Sequence, residues 1–207
     1  MKKENNKRVL IISGPTGVGE STITKEIIKL YPLFQRLVTA TTRKPRLQEK
    51  NGVDYYFFTK NKFENEIKKG NILEYTYIKN RDVYYGSYKP DLEKKLKKGL
   101  NVIANHDVVG AKFYKKNYHA TTIFIAPGSI IDIKKRIIGR DPKISKEELA
   151  KRLKNAEAEI KKESHFYDFI VKNRQNKLKN AVKNVEKIIK KEGYNLNIDN
   201  KCYNCSN

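Results

Sequence analysis

The stretch running from Arg8 to Pro32 limits the possible folds of this chain more than any other. The apolar run VLII at 9–12 reads as a buried strand. Three glycines within the next seven residues, Gly14, Gly17 and Gly19, require a tight turn. From there Ile23, Ile27, Leu30 and Tyr31 recur with a helical period that Pro32 closes. A strand, a glycine turn and a helix in immediate succession predict an α/β chain built on a parallel sheet. The backbone N–H groups of residues 17–22 would converge at the helix N-terminus, where the helix dipole favours an anion.

The spacing is that of a phosphate-binding loop, G-x-x-x-x-G-K-[ST], over Gly14, Pro15, Thr16, Gly17, Val18, Gly19, Glu20, Ser21 and Thr22. Ser21 keeps the hydroxyl that such loops place on Mg²⁺. Glu20 stands where the pattern has lysine. At about 4 Å and an effective dielectric near 20, a unit-charge pair is worth on the order of 4 kcal/mol, so a carboxylate here excludes a lysine-type mechanism.

Further along, RLVTAT (36–41) reads as a strand, followed by a basic loop and an aromatic strand, VDYYFFT. A short helix over 60–69, a strand NILEYTYI and turns at Asn51-Gly52 and 80–82 give this middle region an antiparallel character. Alternation then resumes with a helix from Pro90 to Gly99, the strand NVIAN, a short helix near GAKFYKK and the strand TTIFIA, stopped by Pro127 and Gly128. SIIDIKKRIIGR is a helix. SKEE at 145–148 is a capping box with Ser145 as N-cap and Glu148 reaching back, ahead of a core stripe of Leu149, Leu153, Ala156 and Ile160. DFIVKN is the last strand, and Leu178, Ala181, Val182, Val185 and Ile189 mark a final amphipathic helix.

The 207 residues suit one domain with mobile subdomains, and the formal charge of +22 favours polyanionic ligands. The lysines are spread along helix faces, which argues against a nucleic-acid surface, although the aromatic run YYFF beside lysines keeps RNA binding as a distant alternative. No run is long enough to span a bilayer, and the charged start lacks the hydrophobic segment of a secretion signal, so a soluble cytoplasmic protein is expected. Cys202 and Cys205 read as reduced thiols in a disordered tail over 196–207.

Several weaker features gain meaning from their order. The phosphate loop is followed by TTRKPR, GVDYYF, ILEY, YYGS, an Asp ahead of a glycine, KKRIIGR and KRLKNAEAEI, and this succession resembles the guanylate kinase family from residue 8 to about 192. The resemblance implies a parallel core over 1–34, 91–126 and 161–195, a GMP-binding insert over 35–90 and a lid over 127–160. It implies an ATP-dependent, Mg²⁺-dependent transfer of a phosphoryl group to GMP. It places Arg43, Arg46, Tyr55 and Tyr85 on the GMP phosphate, Glu74 on guanine N1–H and N2–H₂, Thr39 and Ser87 near the base's oxygen side, and Asp107 at the edge of the pocket. Arg136, Arg140 and Arg152 match lid arginines that clamp the transferring phosphoryl group; Arg43 is expected in the catalytic set with them, and Glu20 joins it if the site is rearranged.

Departures from the family pattern cluster on the donor side. Glu20 replaces lysine, Asn105 stands for an aspartate, Val109 for a glutamine, and Lys172 for an asparagine near the adenine; IKNRDVYYGS is also about two residues longer than usual. Three readings follow. Glu20 and Asn105 form a compensating pair in a rearranged site, where Glu20 holds Mg²⁺ or its waters and Lys172 or a lid arginine supplies the cation. Alternatively, the chain keeps GMP affinity as a nucleotide- or partner-binding module with little transfer, or it uses another donor or acceptor.

Overall fold

A computed structural model of the chain describes residues 7–196; the tail with Cys202 and Cys205 lies outside them. The chain divides into two compact units, one formed by residues up to 34 together with those from 103 onward, the other by 35–102.

In the first unit, β1 (Val9–Ser13) is buried throughout and leads through the glycine loop into α1 (Glu20–Leu30). The five-stranded sheet has the order β2 (Phe34–Arg36), β7 (Asn101–Asn105), β1, β8 (Thr121–Pro127), β9 (Phe169–Asn173), with β1–β8 and β8–β9 parallel. Parallel pairs need crossovers, here supplied by helices. These helices include α4 (Val108–Tyr118), α5 (Ile130–Arg140) and α6 (Lys146–Glu163), while α7 (Leu178–Lys191) follows the last strand. The core joins Leu10, Ile12, Val18, Ile23, Ile27, Ile123, Ile125 and Val171 to Ala181, Val182, Val185 and Ile189 of α7, as the apolar spacing predicts. Leu30 is 52% exposed, and Tyr31, one residue on, packs against the core in its place.

Residues 127–160 carry their own small cluster, in which Ile133 and Ile137 of α5 bury against Ala156, with Leu149, Leu153 and Ile160 packed alongside. The Ser145 hydroxyl caps α6 by accepting from the Glu148 N–H at 3.1 Å. The Glu148 carboxylate does not reach back to the cap; it accepts from Arg152 Nε at 2.8 Å.

The second unit holds a four-stranded sheet ordered β4 (Tyr56–Phe57), β3 (Ala40–Thr41), β6 (Val83–Tyr88), β5 (Ile72–Ile78), with α2 (Lys60–Lys68) and α3 (Lys89–Lys97). β6 runs antiparallel to both neighbours, in keeping with the mostly antiparallel character expected, while β3 and β4 pair in parallel over two residues. The single strand expected over 36–41 is two strands in two sheets. Leu37 and Val38 are buried as their apolar character predicts, but the Val38 N–H donates to the Asp91 carboxylate at 2.9 Å instead of to a ladder, and the chain changes sheets there. VDYYFFT likewise contributes only Tyr56 and Phe57 to a ladder. Among the described residues no helix is long and apolar enough to cross a membrane.

Candidate active site

Helix α1 opens on Gly19, whose φ of +97° is left-handed and which offers no side-chain cap. A Cβ at Gly19 would lie 2.8 Å from the Asn173 amide nitrogen, so both conformation and space require glycine. The first N–H groups of the helix therefore face outward without an intrahelical acceptor, the arrangement an anion needs. Ser21 and Thr22 are exposed at this end. The loop is held from behind. Val18 is fully buried, and its carbonyl accepts from Arg136 Nη1 at 2.7 Å and Asn173 Nδ2 at 2.8 Å. Arg136 also donates to the Asn173 carbonyl at 2.9 Å and to Gln175 at 3.2 Å.

Beside the loop lies a cavity of about 470 Å³ whose lining includes Gly14, Thr16, Glu20, Asn105 and Asp107. Glu159, Glu163, Tyr167 and His106 also line it, and among the described residues no lysine or arginine contributes. Burial, reinforced by Glu159, pushes the Glu20 carboxyl up to about 8. Burial also raises Glu159, with Glu163 and Asp107 adding to the effect, and pushes the Tyr167 hydroxyl up to about 12. Glu20 and Asn105 thus line one cavity, but the Asn105 amide is turned away into hydrogen bonds with the Ile12 carbonyl (3.2 Å) and the Thr24 hydroxyl (3.1 Å). Asp107 is the N-cap of α4, its carboxylate accepting from the Gly110 N–H at 3.0 Å.

The remaining residues expected on the donor side are dispersed. Arg140, the last residue of α5, is exposed, and Arg152 is half-buried against Glu148. Lys172 is exposed. Strand alternation along FIVKN turns Phe169, Val171 and Asn173 to one side and Lys172 to the other, so the residue at the loop is Asn173.

In the second unit the sheet brings together the residues expected on the acceptor side. Ser87, fully buried, donates to Glu74 Oε1 at 2.6 Å across the β5–β6 ladder. Gly86 permits this approach, since a Cβ there would sit 2.8 Å from the Glu74 carbonyl. Tyr55 and Tyr85 meet edge-on with ring centroids 6.0 Å apart, and the Arg43 guanidinium lies 5.4 Å above Tyr55. Arg43 forms a two-pronged pair with Glu49, Nη1 and Nη2 each at 2.8 Å. This pair raises the guanidinium further and holds the Glu49 carboxyl down to about 2. The side chain of Arg46 is exposed, while its N–H donates to Glu49 at 2.8 Å. Thr39 is half-buried, its carbonyl accepting from the Tyr56 N–H at 2.9 Å.

A glycine loop between the first strand of a parallel sheet and an uncapped helix N-terminus defines a P-loop nucleotide-binding protein. The family model for guanylate kinase matches residues 6–192, and the chain belongs to that family. It is 39% identical to a guanylate kinase of Clostridioides difficile over 185 residues, 89% of this chain and 87% of that protein. It is 36% identical to one of Malacoplasma penetrans over 202 residues, 93% of this chain and all of that protein. The crystal structure of a guanylate kinase from Anaplasma phagocytophilum superposes with a TM-score of 0.67 at 25% identity, covering 92% of this chain and 88% of the other.

Proposed function

We propose that the chain transfers the γ-phosphoryl group of ATP to GMP, in the cytoplasm. A phosphate oxygen of GMP forms a bond to the γ-phosphorus as the bond to the β-phosphate oxygen breaks, giving GDP and ADP. The observation that carries the reading is the pairing of an arginine–tyrosine cluster with a carboxylate fixed by a buried hydroxyl on one small sheet, Arg43, Tyr55 and Tyr85 with Glu74 and Ser87. The cluster suits a phosphate. Glu74 suits a guanine edge, which presents donors at N1 and N2, whereas adenine lacks them and would leave the carboxylate unpaired.

On the donor side the loop N–H groups hold phosphate oxygens, and Arg140 and Arg152 are the lid cations that approach the transferring group. Positioning and charge stabilisation are the main demands of this chemistry. Arg136 acts through the loop it anchors. Mg²⁺ binds with few protein oxygens, because nucleotide phosphates and waters complete its shell. Among the described residues no three His, Cys, Asp or Glu side chains gather to cage a metal, and the exposed Ser21 hydroxyl beside the loop fits this sparse mode, with Glu20 next to it. When bound, Mg²⁺ supplies charge neutralisation to the phosphates.

A second reading also has its observation. Among the described residues the lining of the cavity that holds Glu20 includes His106 but no lysine or arginine, so neither Lys172 nor a lid arginine supplies a compensating cation within it. On that reading the chain binds GMP and transfers little. An ADP-release assay with ATP, Mg²⁺ and GMP, AMP, dGMP or UMP decides. GMP-dependent release supports transfer; calorimetric GMP binding without release supports the second reading; equal response to AMP overturns the acceptor assignment. A rearranged donor site further expects Glu20→Lys to lower kcat/KM, and a large rise would mark the natural protein as an impaired kinase.

A further inference from the structure

We infer that Glu49 is a positioning residue for the acceptor phosphate, holding the Arg43 guanidinium so that one edge with two donors stays directed at the ligand. The inference rests on the acceptor assignment above.

A guanidinium carries five N–H donors in a fixed plane. In Arg43, Glu49 takes one from Nη1 and one from Nη2, each at 2.8 Å, and the Lys44 carbonyl takes the second Nη1 hydrogen at 2.8 Å. Those three contacts leave the Nε–H and the outer Nη2–H to be shared between the Tyr85 hydroxyl and a ligand. They lie side by side on a single edge, and two parallel N–H bonds match two oxygens of a phosphate. The Tyr85 hydroxyl is within hydrogen-bonding reach of the same guanidinium. The rings of Tyr55 and Phe57 lie 5.4 and 5.7 Å from its central carbon.

The same carboxylate accepts from the Arg46 N–H at 2.8 Å, so one side chain fixes the segment between both acceptor-side arginines. Arg43 is thereby ordered before any ligand arrives, which removes the cost of ordering a long side chain from the binding step. A phosphate entering at the Nε edge leaves Glu49 in place. A phosphate that used the Nη1/Nη2 edge would have to displace it, and Glu49 would then be a competitor.

Calorimetric titration of GMP and of ATP into the full chain and into the Glu49→Ala and Glu49→Gln variants separates these roles, with thermal melts as the folding control. The expected result is a loss of about tenfold or more in GMP affinity for Glu49→Ala, equivalent to about 1.4 kcal/mol. The Gln variant, which keeps one acceptor oxygen, should fall in between, and ATP affinity should stay within about twofold. In turnover, KM for GMP should rise while KM for ATP holds. Unchanged or tighter GMP binding in Glu49→Ala overturns the inference, as does equal weakening of both nucleotides, which marks a purely structural role. Absence of GMP binding by the unaltered chain removes the acceptor assignment itself; binding that Glu49→Ala does not alter removes this inference alone.

Discussion

Glu20 begins a helix whose amino end is open, and it does so among other carboxylates rather than cations. Its ordinary value of 4.5 applies to the unfolded chain and about 8 to the folded one. Between these values the folded state holds a proton that the unfolded state has released, so this group's contribution makes stability fall as pH rises from 4.5 to about 8. Above that the penalty is complete, and below 4.5 it is absent. Melting the metal-free protein in EDTA at pH 5 and pH 8.5 should show Glu20→Gln losing less of its midpoint than the natural chain; parallel losses would contradict the burial of Glu20. Glu74→Ala should weaken GMP by more than about 1 kcal/mol, the scale of a hydrogen bond to a charged group, read by calorimetry. Sequence spacing reached Glu20 and Glu74 because each interrupts a pattern. It does not mark Asn173, which stands beside the more conspicuous charge of Lys172, although alternation along FIVKN separates the two faces. Glu49 left no local signal, since its meaning depends on a loop closing over six residues.

Helix ends and apolar stripes were readable wherever a single element buries one face, as α7 does through Val185 and Ile189. Residues 36–41 depart from the single strand expected, because a distant aspartate takes the Val38 N–H where the chain changes sheets. Periodicity carries no record of such a partner. The capping box at 145–148 was half right, since Glu148 serves Arg152 rather than the cap. Ser145→Ala should cost about 1 kcal/mol of stability by loss of that cap. The arginines of α5 provide a contrast. Arg136→Ala strips hydrogen bonds from the Val18 and Asn173 carbonyls and should cost about 1–3 kcal/mol. Arg140→Ala, at an exposed helix end, should stay within about 0.5 kcal/mol. Denaturant melts of the two variants check this, and equal losses would refute the anchoring role.

Over the whole molecule, a charge of +22 and two compact units set the expectations. If donor and acceptor sites are divided as proposed, hydrogen exchange should show GMP protecting residues within 35–102 and ATP protecting the glycine loop and 127–160. Protection of the same segments by both nucleotides would refute that division. The distant alternative of RNA binding predicts oligonucleotide affinity that falls steeply with salt and is untouched by GMP. The second unit has one more property. Asp91, nearly buried, accepts from the Val38 N–H, from the Tyr56 hydroxyl at 3.2 Å and from Lys95, while Lys95 also donates to the Arg36 carbonyl at 2.8 Å. The segment that enters the unit is therefore riveted to the helix near its exit by groups the unit itself supplies. A piece of chain closed at its own base is portable: if the acceptor site lies in it as proposed, 35–102 exchanged as a cassette between related enzymes should carry the choice of nucleotide base with it.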